Sequence, residues 1–161
     1  MAARRALLAF ALFGTAALLA VLTGCSSFPA DPDGTLDRVR GGVLRVGGSH
    51  NEPWVRVLEE TEPAGIEPEL VQRFATTLQA TIEWQPGGEE ALMTDLEHGR
   101  LDLVIGGLTA ESPWTDKAAI TKPYAESRNR EGKTEKHVMA APLGENAFLL
   151  ELEKFLLSQE L

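Results

Sequence analysis

The stretch "LEHGRLDLVIGGLT", residues 96–109, decides how the chain is read. Gly99 sits where a helix beginning at Glu89 would end, since glycine takes the left-handed backbone of a helix C-terminus without a Cβ clash. Residues 101–107 then form the most continuous apolar strand candidate of the chain, closed by two glycines. A short apolar run without alternation is the pattern of a strand covered on both faces. Such a strand belongs at the centre of a mostly parallel sheet.

The sequence on either side agrees. "VLRVGGS", residues 43–49, reads as a first strand, and "NEPW" turns the chain. In "GIEPELVQRFATTLQ", residues 65–79, Pro68 suits a first helical turn, and Leu70, Val71, Phe74, Ala75 and Leu78 share one face. "ATIEWQP" is a second strand, closed by Pro86, Gly87 and Gly88. "EEALMTDLEHGR" is a second helix, with an acidic start that suits the helix dipole and with Leu92 and Leu96 inward. The order β-α-β-α-β predicts a mostly parallel sheet with helices on both faces. Ligands of such sheets sit outside the carboxyl ends of the strands. Residues 47–54, 86–89 and 106–114 therefore converge on one edge. Beyond them, "DKAAITKPYAES" and "KHVMAAP" flank the polar "RNREGKTE" as a hairpin. A final helix within residues 144–161 carries the face Phe148, Leu152, Phe155 and Leu156, with Asn146 as its cap.

The chain has 161 residues, of which 43% are apolar and 24% charged, ordinary for one globular domain. Its N-terminus stands apart. Arg4 and Arg5 precede an apolar run over residues 6–22, followed by small residues, the pattern of a secretory signal. "LTGC", residues 22–25, resembles the bacterial lipobox, and Cys25 is the only cysteine. This excludes a disulfide framework and multi-thiolate metal ligation. The lipobox resemblance implies a lipidated N-terminus at Cys25 after removal of residues 1–24. Loss of two arginines and no acids takes the net charge from −9 to −11. An acidic exported domain repels nucleic acid, so none is expected as a partner, and the lipid is the expected membrane contact. Residues 25–42, rich in Ser, Pro, Asp and Gly, are expected to be a flexible tether, with one lobe over residues 43–161.

The motifs together resemble the extracellular solute-binding proteins of family 3, the amino-acid binders of ABC transporters. "LRVGGSHNEPW" is similar to the family's opening strand and aromatic turn. "GIEPELVQRFATTL" is similar to its first helix, "LEHGRLDLVIGGLT" to its LxxGxxDLxxxGxT element, and "AAITKPY" to its hinge strand. "HVMAAPLGENAFLLELEKFL" resembles the returning strand and C-terminal helix. The resemblance implies a single periplasmic-binding-protein type II-like α/β lobe. The family's second lobe lies between the two hinge strands, where this chain has only "AESRNREGKTEK", so a hairpin is expected to replace it.

The resemblance also bears on ligand. The family's arginine, which clamps a substrate carboxylate bidentately, aligns without gaps on Trp114. Gly107 and Thr109 match the segment that offers backbone and hydroxyl groups to a ligand; a tight turn after a central strand is the plainer reading. Trp54 and Trp114, with Glu67 or Glu69, could wall a cationic head group by cation–π attraction, or the tryptophans could simply cap the sheet edge. Loss of the clamp and of the closing lobe implies no tight binding of free α-amino acids. Nothing points to catalysis, a metal or a cofactor. His50, His98 and His137 are scattered, Glu59-Glu60 and Glu89-Glu90 read as solvated faces, and no phosphate cradle or nucleophile elbow occurs. The partners expected are a small solute, an ABC permease or other envelope protein, or a second copy of the chain as a homodimer.

Overall fold

The computed structural model describes residues 29–57 and 62–160. Cys25 and the signal-like run lie outside the described residues, as do Glu59 and Glu60. Four helices, seven strands and one 3-10 turn follow in the described part. They are α1 (Thr35–Val39), β1 (Val43–Gly48), α2 (Ile66–Thr77), β2 (Thr81–Pro86), α3 (Glu89–Glu97), β3 (Leu103–Ile105), the 3-10 turn Pro113–Asp116, β4 (Ala118–Ile120), β5 (Ala125–Arg128), β6 (Thr134–His137), β7 (Ala140–Pro142) and α4 (Asn146–Leu157).

The main sheet has the order β2-β1-β3-β7-β4. β1 runs parallel to both β2 and β3, with Val46 beside Leu103 and Gly48 beside Ile105, and β7 is antiparallel to β3 and β4. β3 is central because it is apolar on both faces. Leu103 and Ile105 join Leu44, Val46, Phe74, Phe148 and Leu152 in the core under α2 and α4. Val104 points the other way, into Leu92, Met93, Leu96 and Val138 under α3. Gly47 lets α3 approach: a Cβ there would lie 3.0 Å from Leu92 Cδ2 of that helix and 2.7 Å from Leu101 Cδ1. The α2 face predicted from the sequence is buried in full, from Leu70 to Leu78.

The structure corrects the boundary of the tether. Leu36 and Val39 of α1 are core residues, so the folded unit begins well before residue 43. Residues 30–35 and the start of α4 also supply each other's missing partners. The backbone N–H groups of Asp33 and Thr35 donate to the Glu145 carboxylate at 3.0 and 2.9 Å. The N–H of Phe148 donates to Asp31 Oδ1 at 3.3 Å, and those of Asn146 and Ala147 donate to Ala30 O. Asn146 is therefore not the cap; helix α4 is satisfied from a hundred residues upstream. On the α4 face, Phe148, Leu152 and Leu156 are fully buried, whereas Phe155 is half-buried against Phe74. Among the described residues, no helix is long and apolar enough to cross a membrane.

β5 and β6 form a separate two-stranded ribbon whose turn is closed by Asn129, which accepts from the N–H groups of Glu131 and Lys133 through its side chain. It occupies the place between the two hinge strands.

Candidate functional site

β1, β2 and β3 deliver their carboxyl ends to one edge, and the loop after β3 crosses it. A shallow cleft of about 230 Å³ lies there, lined by Asn51, Glu89, Leu108, Thr109, Glu111 and Ser112 with the backbone of Gly106 and Gly107. Asn51 anchors the loop, its Nδ2 donating to Gly106 O at 2.8 Å. Gly107 has φ +65°, a region that L side chains seldom enter, and a Cβ there would stand 2.7 Å from the Trp54 ring. Among the described residues, no Lys or Arg lines this cleft, while two carboxylates do.

The sequence-derived site residues are split by the fold. Gly107 and Thr109 line the cleft. Trp54 lies on the other side of Gly107, stacked on His137 with ring centroids 3.6 Å apart at 29° and edge-on to Tyr124 at 6.4 Å. It walls a second, larger groove beside the hairpin, of about 770 Å³. Trp114, in the 3-10 turn, donates its indole N–H to Glu89 Oε1, and Lys117 sits 5.8 Å from its ring centroid. A protein cation thus already uses its π face, and the two tryptophans do not form one wall.

Glu67 is the main correction. It is fully buried and does not line the cleft. Its Oε2 accepts the N–H groups of Gly106 and Gly107 at 2.8 and 2.9 Å, and its Oε1 accepts the Tyr124 hydroxyl at 2.5 Å. The two glycine donors that a ligand would otherwise meet are spent on this carboxylate. Burial pushes its pKa above the usual glutamate range, against the pull of the three donors.

Sequence reasoning missed three residues here. Glu89 read as a solvated face, yet it is half-buried, holds Trp114 and lines the cleft. Asn51 fixes the glycine loop. His137 is buried, with Nε2 2.8 Å from Ser127 Oγ, and it carries Trp54; burial holds its pKa below the usual imidazole range. Their partners lie between 10 and 83 positions away, so no local pattern marks them. The motif aspartate, Asp102, proves structural. Its buried carboxylate, at the far end of the sheet, takes Arg45 N–H at 2.9 Å and the guanidinium groups of Arg38 and Arg45.

This architecture defines a single lobe of the periplasmic-binding-protein type, with its ligand edge at the carboxyl ends of the parallel strands. The chain belongs to the bacterial extracellular solute-binding proteins, family 3, whose model matches residues 44–156. Similar solved structures include the arginine-bound form of domain 1 from TmArgBP (TM-score 0.65, 21% identity, covering 74% of this chain and 95% of that one). An ancestral cationic amino acid solute-binding protein is similar too (TM-score 0.65, 15% identity, 76% and 92% covered). At these identities the likeness shows the fold alone. Among curated proteins, the membrane-bound lytic murein transglycosylase F of Photobacterium profundum is 38% identical over 100 residues, 61% of this chain and 19% of its own length. The cyclohexadienyl dehydratase of Pseudomonas aeruginosa is 32% identical over 101 residues, 62% of this chain and 36% of its own length. The chain spans between a fifth and about a third of these curated relatives.

Proposed function

We propose that the chain is an exported, membrane-anchored solute-binding lobe whose altered ligand edge recognises a cationic group rather than a carboxylate. One observation carries this: among the described residues, the cleft at the strand ends holds Glu89, Glu111, Asn51 and Thr109 and no Lys or Arg, with Trp114 at the family's arginine position. A substrate carboxylate would be desolvated there without a cation, which costs several kcal/mol. An ammonium or guanidinium group finds two carboxylates and neutral acceptors. TmArgBP domain 1, a single lobe, is described with arginine bound. That the described residues form a single lobe is therefore a weaker obstacle than the loss of the clamp. In an open cleft the affinity is expected to be on the order of 0.1–1 mM, about −5.5 to −4 kcal/mol. The role is binding rather than catalysis, with an ABC permease as the partner that would take the solute onward. The anchor is the lipid on Cys25; replacing Cys25 by Ser should release the protein from the membrane fraction, and retention there would defeat the lipoprotein reading.

A thermal-shift screen with amino acids, polyamines and quaternary amines tests the ligand class. At ten times Kd, binding stabilises by about 1.4 kcal/mol, or about 5 °C for a domain of this size. Shifts should come from cationic compounds and vanish in Glu89→Gln/Glu111→Gln.

A second reading rests on the 38% identity to a murein transglycosylase over 100 residues. In it the lobe serves a cell-wall enzyme, without transport. Co-sedimentation with purified murein sacculi separates the two: the transport reading expects none.

A further inference from the structure

The hairpin leaves a strand edge open. β5 pairs with β6 only, while the other side of β6 is covered by the loop after β3, through the Thr109–His137 bridge and the bond from Ala110 N–H to Lys136 O at 2.8 Å. The bond from Asn129 N–H to Lys133 O, at 3.0 Å, sets the phase of the ladder. Hydrogen-bonded and open pairs alternate along an antiparallel ladder. Ser127 and Ala125 therefore exchange bonds with Glu135 and His137, and the N–H and C=O groups of Glu126 and Arg128 face outward. The edge of β5 is thus the unpaired one, and an unpaired edge is a template for another strand. Glu126 and Arg128 are both exposed, lie two apart on one face, and form no ion pair among the described residues.

We propose that β5 pairs with β5 of a second copy of this chain, antiparallel, about a twofold axis through Ser127. In that register Glu126 lies against Arg128 of the partner subunit, and the converse holds on the other side of the axis. Both are hydrogen-bonded pairs, so four backbone bonds and two cross-strand ion pairs form, and two ribbons become one four-stranded sheet. The order of charges along the strand, acid then base, makes the edge self-complementary only when antiparallel. A parallel pairing sets Glu126 beside Glu126, which is destabilising. The same register carries Arg130 of the partner subunit past Tyr124, at the mouth of the apolar groove walled by Pro53, Trp54, Ile66 and Pro123.

The test is sedimentation equilibrium of the full chain in a non-ionic detergent over a range of concentrations. A monomer–dimer equilibrium is expected. Glu126→Arg or Arg128→Glu alone places like charges opposite one another twice and weakens the dimer about tenfold or more. The double exchange restores it. Ser127→Cys, made together with Cys25→Ser, should form an intersubunit disulfide under mild oxidation, because open antiparallel pairs hold Cα atoms about 4.5 Å apart. A chain monomeric at every concentration overturns the proposal, whatever else the edge binds. So does a dimer indifferent to the single reversals, a double exchange that fails to restore it, or an axial cysteine that does not link.

Discussion

Glu67 accepts three hydrogen bonds at a position closed to solvent, and the glycine loop of the ligand edge hangs from it. Glu67→Ala would leave the N–H groups of Gly106 and Gly107 and the Tyr124 hydroxyl without an acceptor. Each buried unsatisfied group costs roughly 1–3 kcal/mol, so a loss of about 3 kcal/mol or more is expected in chemical denaturation. Glu67→Gln keeps an oxygen for the glycines and an N–H₂ that the Tyr124 oxygen can accept from, leaving only the Tyr124 hydroxyl proton without its acceptor, and should cost about 1–2 kcal/mol, less than the Ala variant. The pH dependence follows from the raised pKa. The folded state holds the Glu67 proton more tightly than the unfolded chain does, so stability falls as pH rises from the usual glutamate value to the higher folded one. Above that it is flat. The Gln variant should lack this fall; stability–pH curves that superimpose for the two proteins would contradict the assignment.

Helix α4 shows how far element-level reading carries. The apolar face Phe148, Leu152, Leu156 was legible from its spacing, and all three are buried. Phe148→Ala should cost about 3–5 kcal/mol, since the ring is fully enclosed and meets Phe74 edge-on at 6.0 Å. Phe155→Ala should cost only about 1–2 kcal/mol, because that ring is half-buried. Equal losses would mean that α4 is seated differently. The capping was not legible. A cap is usually sought within four residues, but Glu145 caps residues 33–35, and Asp31 returns the favour to α4. Burial disfavours the Glu145 carboxylate, yet the N–H groups of Asp33 and Thr35 outweigh it and hold its pKa below the usual range. Its contribution is thus complete above the ordinary glutamate pKa and is lost as pH falls through the folded value. Glu145→Ala should cost about 1–2 kcal/mol at neutral pH, and much less in acid.

At the scale of the whole molecule, the parallel core and the edge where three loops meet followed from apolar runs and glycines, because burial on both faces of β3 leaves few other arrangements. The site within that edge was only half legible. Gly107 and Thr109 belong to the cleft, but Glu67 was drawn inward by Tyr124, and Trp54 and Trp114 were claimed by His137, Glu89 and Lys117. Which side of a loop a polar group faces depends on distant partners that no local spacing encodes. The result is an edge whose glycine N–H groups are spent and whose remaining charges are acidic. Calorimetric titration with arginine and with glutamate tests this most directly, since the two share an α-carboxylate and α-ammonium and differ in the sign of the side chain. The account predicts heat on binding for arginine, in the range of about 0.1–1 mM, lost in Glu89→Gln/Glu111→Gln, and none for glutamate. Micromolar binding of glutamate, or arginine binding unchanged by removing both carboxylates, would contradict it.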